Sequence, residues 1–329
     1  MNAFSYTRAG NLGSALDELA HDEAAMIIAG GTNLIDLMKE EVMRPGRLVD
    51  INRLPMKKVE VLAGGGLRIG ALVTNSDVAY HPEVGTRYPL LSQAILAGAS
   101  AQLRNMATTG GNLLQRTRCY YFYDVATPCN KREPGSGCAA INGFNRIHAI
   151  LGASEHCIAT NPSDMSVALA ALEAVVRVNG PDGERTIPIG EFHRLPGDTP
   201  QVDTNLRKGE IITAVDLPAK GFAKHHAYVK VRDRESYAFA LVSVAVGLEL
   251  EGGRISEARI ALGGVAHKPW RNLEAEALLR GRAAERENFA MAAEALLRGA
   301  VGYQHNTFKI ELAKRAVIRT LAQAAGKES

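Results

Sequence analysis

Ala24-Ala25-Met26-Ile27-Ile28-Ala29-Gly30-Gly31-Thr32-Asn33-Leu34 is the stretch that decides the N-terminal fold. An apolar run of strand length meets two glycines, and a helical pattern follows with Leu34, Leu37, Met38 and Val42 on one side. Arg47-Leu48-Val49-Asp50-Ile51 reads as the next strand. Asn11 to Ala20, with Leu12, Leu16 and Leu19 on one face, reads as a preceding helix. Helix, strand, turn, helix and strand in succession imply a small parallel sheet. The two glycines let backbone approach a ligand and leave N–H groups free. The helix start adds partial positive charge, so a pyrophosphate suits the turn Ala29 to Leu34. The pattern is neither G-x-G-x-x-G nor G-x-x-x-x-G-K-[ST], which rules out a Rossmann or P-loop reading. The same residues also make an ordinary strand-to-helix turn with Thr32 as N-cap.

Two later segments have a similar composition. Thr108-Thr109-Gly110-Gly111-Asn112 offers hydroxyls, two glycines and an amide, a second set of donors for the same ligand. Asn161-Pro162-Ser163-Asp164 opens an Ala/Leu/Val helix running to Ala174, where Asp164 either caps the helix or accepts from ligand hydroxyls. Between these segments, Lys58 to Leu62 and Leu67 to Gly70 flank Gly64-Gly65-Gly66 as a hairpin. Asn75 to Ala79 and Tyr88 to Gly98 read as helices. Beyond Leu217-Pro218 the texture changes. Ala227 to Arg232, Ala238 to Glu251 and Arg254 to Leu262 form a Val/Ile-rich antiparallel meander. Helical stretches follow at Asn272 to Arg280, Glu285 to Gly299 and Gln304 to Ala324. The expected fold class is α+β. Residues 1–222 form one domain with parts at about 1–55 and 56–222, and residues 223–329 form a C-terminal domain.

All four cysteines, Cys119, Cys129, Cys138 and Cys157, lie in the loop-rich interval 114–159, which reads as one coordination unit. Their spacing is wider than the C-x₂₋₄-C knuckles of structural zinc sites. Two disulfides would need an oxidising compartment, and a chain of this size needs no stapling. An iron–sulfur cluster asks for four thiolates and tolerates varied spacing. Spacing alone leaves the three open. Tyr120-Tyr121-Phe122-Tyr123 beside Cys119 would limit solvent access to such a centre, or simply pack. Lys230, on the first strand of the meander, and Tyr237 in the turn after it are candidates to face a flavin ring, with a solvated charged turn as the plain alternative.

Composition sets the outer limits. The chain has 329 residues with 46% hydrophobic and 22% charged residues, those of a globular protein of more than one subdomain. A net charge of +3 is too small to point to nucleic acid or an anionic membrane. No apolar run reaches the roughly 18 residues of a transmembrane helix. The first residues, Met1 to Arg8, lack a basic stretch followed by an apolar one, so no signal peptide is expected. The default compartment is cytoplasmic, with co-export to the periplasm on a signal-bearing partner as the alternative.

Several ordered motifs together resemble a known family. They are Ala29 to Leu34 with Leu37-Met38-Lys39, Ile69-Gly70-Ala71, Arg104-Asn105-Met106-Ala107-Thr108-Thr109-Gly110-Gly111-Asn112-Leu113, Asn161 to Asp164, Lys230-Val231-Arg232 and Ala261-Leu262-Gly263-Gly264-Val265-Ala266. The chain resembles, over essentially its whole length, the FAD-binding medium subunit of the xanthine dehydrogenase family of molybdenum hydroxylases. Its cysteine-bearing segment is similar to the insertion of the periplasmic aldehyde oxidoreductase flavin subunits, and benzoyl-CoA-type reductases have a comparable one. In those proteins the insertion holds a 4Fe–4S cluster, so the resemblance favours a cluster over zinc or disulfides.

The resemblance implies a two-part FAD-binding fold of the vanillyl-alcohol-oxidase type with a C-terminal α+β domain covering the isoalloxazine side. It implies that Ala29, Gly30, Gly31, Thr32, Asn33 and Leu34 hold the pyrophosphate, and that Thr108, Gly110, Gly111 and Asn112 add phosphate and ribityl contacts. Ser163 and Asp164 would bind ribityl hydroxyls and Lys230 would lie near the ring. It further implies an electron-transfer subunit that does not oxidise aldehyde alone. A large partner would carry a molybdenum cofactor, a small partner 2Fe–2S clusters, and an external acceptor would take the electrons. The rival readings are a stand-alone FAD-dependent reductase and a zinc-stabilised, non-redox binding module.

Overall fold

Three short strands, β1 (Ser5–Arg8), β2 (Ala25–Ile28) and β3 (Arg47–Asp50), form an all-parallel sheet in the order β1-β3-β2. Parallel neighbours need crossovers, and the helices Leu12–His21 and Leu34–Lys39 supply them. Asn11 starts the first helix with a capping box: its side chain accepts from the Ser14 N–H, and the Ser14 hydroxyl accepts from the Asn11 N–H. The computed structural model that shows this architecture describes residues 1–327. Strand β1 was not expected from the sequence. Ser5, Tyr6 and Arg8 are exposed at a sheet edge and carry no alternating apolar pattern.

A second sheet comprises β4 (Val59–Val61), β5 (Leu67–Gly70), β6 (Val175–Gly180), β7 (Gly183–Pro188) and β8 (Ile211–Leu217), antiparallel in the order β4-β5-β8-β6-β7. The hairpin β4–β5 matches the sequence reading, whereas β6 to β8 were not anticipated. The β5–β8 pairing joins distant segments. Its cross-strand pair Arg68–Asp216 makes two parallel hydrogen bonds of 2.7 and 2.8 Å, which fixes the register. The helices Pro89–Ala97 and Asp164–Ala171 share one apolar core with this sheet. Every residue of Asp164–Ala171 is buried, which is why its apolar residues follow no single-face periodicity.

The C-terminal meander is β9 (His226–Val231), β10 (Val242–Glu251) and β11 (Arg254–Gly263), antiparallel in the order β11-β10-β9. The helices Arg286–Leu296 and Phe308–Ala324 pack on it through a separate core. β10 starts at Val242, later than the sequence suggested, so residues 233–241 form an irregular loop. The last helix starts at Phe308 rather than near Gln304. Buried Asn306 is the reason: its Oδ1 accepts from the Tyr303 N–H at 2.7 Å, and its Nδ2 donates to the His148 and Ala149 carbonyls. Among the described residues no helix is long and apolar enough to cross a membrane.

Candidate cofactor cleft and cysteine cluster

The turn after β2 lies directly against the segment that leads into Thr108. A Cβ on Gly30 would sit 1.8 Å from the Met106 carbonyl oxygen, so only glycine fits, and Gly31 has φ +71°. Two clefts open beside this junction. One, of about 670 Å³, is lined by Asn75, Arg104, Asn112, Arg118, Asp164 and Tyr237 among others. The second, of about 470 Å³, is lined by Ala29 to Leu34, Thr108, Gly110, Arg116 and Asp203 among others. Thr32, Asn33 and Gly111 line both, so the two Gly-Gly turns form the saddle between them.

The donors on this saddle are oriented before any ligand arrives. Asn33 is the N-cap of helix Leu34–Lys39 but makes no capping bond. Its Oδ1 accepts from the Arg116 N–H at 2.9 Å, and its buried Nδ2, beside the Tyr123 hydroxyl, makes no hydrogen bond of good geometry. A buried donor without an acceptor is costly, so Asn33 Nδ2 is left able to meet an acceptor oxygen. Thr108 caps helix Thr109–Leu113 by accepting from the Gly111 N–H at 3.2 Å. Two arginines missed in the sequence reading of roles also line the larger cleft. Arg104 donates to the Gly98 carbonyl at 2.7 Å. Arg118 pairs with Asp36 at 2.8 Å and lies 4.9 Å over the Phe239 ring. Each keeps a buried, unpartnered Nε. The signal for Arg118 was its place immediately before Cys119.

The third turn joins the second through side chains. The Ser163 hydroxyl donates to Asn112 Oδ1 at 2.6 Å, and Asn112 Nδ2 donates to Asn75 Oδ1 at 2.8 Å. Ser163 also accepts from the Ser166 N–H, capping its helix, and it lines a small side pocket rather than either large cleft. Asp164 lines the larger cleft, but its carboxylate already accepts from the Tyr228 hydroxyl at 2.6 Å and from Lys230 Nζ at 2.7 Å. The structure places Lys230 behind Asp164 and off the walls of both large clefts, its side chain only 4% exposed and its ammonium also bonded to the Ala97 carbonyl. Tyr228 and Lys230 share a face of β9 and both point at the helix Asp164–Ala171. Burial and the adjacent Asp164 carboxylate push the Tyr228 phenol well above its ordinary pKa.

The four cysteines come together. All are free thiols, and they share one apolar cluster with Leu37, Phe122, Ala140 and Ile158. Cys129 and Cys138 face each other as an isolated bridge pair, and the Cys138 and Cys157 thiols are in hydrogen-bonding contact. The bond from Cys157 lowers the Cys138 thiol to about 6, and the same bond together with burial raises Cys157. Burial pushes the Cys119 thiol up to about 12. Among the described residues no three Cys, His, Asp or Glu side chains are disposed to hold a single metal ion.

Two histidines that the sequence gave no reason to choose complete this region. His148 Nε2 lies 3.1 Å from Cys119 Sγ, and His267 Nε2 lies 3.3 Å from Cys157 Sγ. Burial holds the imidazoles neutral, at about 4 for His148 and about 3 for His267.

The cysteine segment is fastened to the cleft. Besides the Arg116–Asn33 bond, Arg118 and the Tyr123 hydroxyl both donate to Asp36 on the helix after the first turn. Buried Lys131 and Arg116 both pair with Asp203 on the wall of the second cleft.

A family model described as the FAD binding domain in molybdopterin dehydrogenase matches residues 2–220, and one described as the CO dehydrogenase flavoprotein C-terminal domain matches residues 226–324. The aldehyde oxidoreductase FAD-binding subunit PaoB of Escherichia coli K12 is 52% identical, covering 98% of this chain and 99% of the relative. The glyceraldehyde dehydrogenase medium chain of Sulfolobus acidocaldarius is 30% identical, covering 85% of this chain and 82% of the relative. The solved carbon monoxide dehydrogenase of Hydrogenophaga pseudoflava has a chain that superposes with a TM-score of 0.77 at 27% identity, covering 100% of this chain and 99% of that one. On these matches the chain belongs to the FAD-binding medium subunits of the molybdenum hydroxylase family of oxidoreductases.

Proposed function

We propose that the chain is the FAD- and 4Fe–4S-containing electron-transfer subunit of a molybdenum-dependent aldehyde oxidoreductase. It would carry electrons from 2Fe–2S clusters of a small partner subunit to an external acceptor, while a large partner with the molybdenum cofactor oxidises the aldehyde. The observation that carries this reading is the saddle of Thr32, Asn33 and Gly111 between two clefts, with the unpartnered Asn33 Nδ2 on it. FAD, when bound, supplies a carrier that exchanges electrons singly or in pairs. Ala29 to Leu34 and Thr108 to Asn112 would hold its diphosphate, with Arg104 and Arg118 supplying positive charge. Asp164 is oriented by Lys230 and Tyr228 to accept from hydroxyls, and Ser163 acts through Asn112. The working domain division is residues 1–222 and 223–329.

The donor chemistry of the second site fits a polynuclear cluster. Four free thiols share one apolar cluster, the number of thiolates that an iron–sulfur cluster takes. Cys119, Cys129, Cys138 and Cys157 would hold it, and its chemistry when bound is one-electron exchange.

Anaerobic purification of the native complex tests the reading. We expect one FAD and four irons on this subunit, flavin bands with broad iron–sulfur absorption, and no aldehyde oxidation by the chain alone. A colourless chain, or turnover of a reductant and substrate by the chain alone, would refute it.

A further inference from the structure

We infer that His148 and His267 are positioning residues for the iron–sulfur site, each donating an Nε2–H···S hydrogen bond to a thiolate ligand, Cys119 and Cys157 respectively. The inference rests on the cluster reading above and adds two residues outside the four-cysteine set, one of them from the C-terminal domain.

The distances, 3.1 Å for His148 to Cys119 and 3.3 Å for His267 to Cys157, are those of hydrogen bonds to sulfur. The direction of donation follows from the sulfur. A ligating thiolate carries no proton and only accepts, so the ring nitrogen that faces it is the donor. Nδ1 of His267 is buried without a partner, while the His148 ring also lies against the Asn145 carbonyl. The contact at sulfur therefore places a proton on Nε2 in both residues.

The rings are held there by a shared brace. Lys309, fully buried, reaches from the last helix to the His148 carbonyl at 2.7 Å and to the Gly264 carbonyl at 2.6 Å, three residues before His267. Asn306 adds a bond to the His148 carbonyl at 3.2 Å. The Ile150 and Leu151 N–H groups both donate to the Val265 carbonyl, which ties the end of the cysteine segment to the turn that presents His267. Both histidine-bearing segments are thus fixed to one C-terminal scaffold. The two thiols they face are buried, while Cys138 is partly exposed.

A hydrogen bond to a ligating sulfur withdraws charge from it and raises the potential of the centre, as partners of ligands do at metal sites generally. The test uses the full-length chain, purified anaerobically, with the substitutions H148F, H148Q, H267F and H267Q. Iron per chain, the cluster midpoint potential and the resonance Raman Fe–S(Cys) bands are read. The Phe variants remove the donor and the Gln variants keep an N–H near the same place. We expect a negative shift in midpoint potential and higher Fe–S(Cys) frequencies in the Phe variants, with the Gln variants moving back toward wild type. Iron lost from the Phe variants but kept in the Gln variants supports the same role. Unchanged potential and bands in iron-loaded Phe variants would overturn it, as would loss of iron from Phe and Gln variants alike. A wild-type chain without iron would instead sink the cluster reading on which the inference stands.

Discussion

The Arg116 backbone N–H donates to the Asn33 Oδ1 at 2.9 Å. This bond joins the start of the cysteine-bearing segment to the first Gly-Gly turn, and it decides which end of the Asn33 amide faces the cleft. An amide that uses its oxygen on one side presents its NH₂ on the other.

Asn33 therefore provides a direct test of the saddle. Replacing it with Ala removes one charge-assisted donor to a phosphate, worth about 1.5–3 kcal/mol, so FAD should bind roughly ten- to a hundredfold more weakly. Asn33→Asp keeps the oxygen that Arg116 uses but turns a second carboxylate oxygen toward the diphosphate. Its FAD loss should be larger than that of the Ala variant. Flavin fluorescence titration of the apoprotein measures both. Equal and unchanged affinities would remove Asn33 from the site.

Lys230 and Asp164 form a buried ion pair at 2.7 Å, with side chains 4% and 8% exposed. Removing one partner of such a pair leaves an uncompensated buried charge and costs about 3–5 kcal/mol. Lys230→Met should lower the unfolding free energy by about that amount in denaturant titrations. The double substitution K230M with D164N should recover much of the loss, because no charge is then stranded. Failure to recover would mean that Lys230 acts on something other than Asp164.

How far the sequence reached follows from which interactions are local. The Ala24 to Lys39 strand–turn–helix was legible because its apolar run, glycines and helical period all lie within one short window. The five-stranded sheet was not, since β8 joins β5 only through pairings such as Leu67 with Leu217. Lys230 could be placed on β9 by alternation, but which element its face meets is a tertiary fact, and Asp164 occupies that face. His148 and His267 stand in no motif that binds sulfur. They reach the thiols only because Lys309 and Val265 bring separate segments together.

Asp203 should set part of the acid limit of stability. Burial alone would raise its carboxyl, but Lys131 and Arg116 outweigh that and hold it below its ordinary value of 3.8. The folded chain thus binds this proton less readily than the unfolded chain. Its contribution is fully present above the unfolded value and is lost as pH falls through the lower folded value. Asp203→Asn should destabilise the protein near neutrality by about 1.5–3 kcal/mol, since Lys131, with 2% exposure, loses its counter-charge. The gap to wild type should narrow below pH 3.8. Unfolding measured against pH checks both signs, and a gap that widens in acid would contradict the assignment.

Cys138→Ser tests whether the four thiols serve one centre. Cys138 sits between two of the others, facing Cys129 across a bridge pair and touching the Cys157 thiol. A hydroxyl is a poor substitute for a thiolate at a soft iron centre, so iron should be lost from the chain. Without the centre, apolar packing, hydrogen bonds and the ion pairs to Asp36 and Asp203 are left to hold the segment 114–159, and its amide hydrogens should exchange faster. FAD should persist in part, because Arg116, Arg118 and Tyr123 still anchor the segment to Asn33 and Asp36. Iron analysis, hydrogen exchange and flavin content on the same preparation separate these effects. Full iron retention in the Ser variant would show that Cys138 is not a ligand and would leave the cluster to be held by fewer than four cysteines.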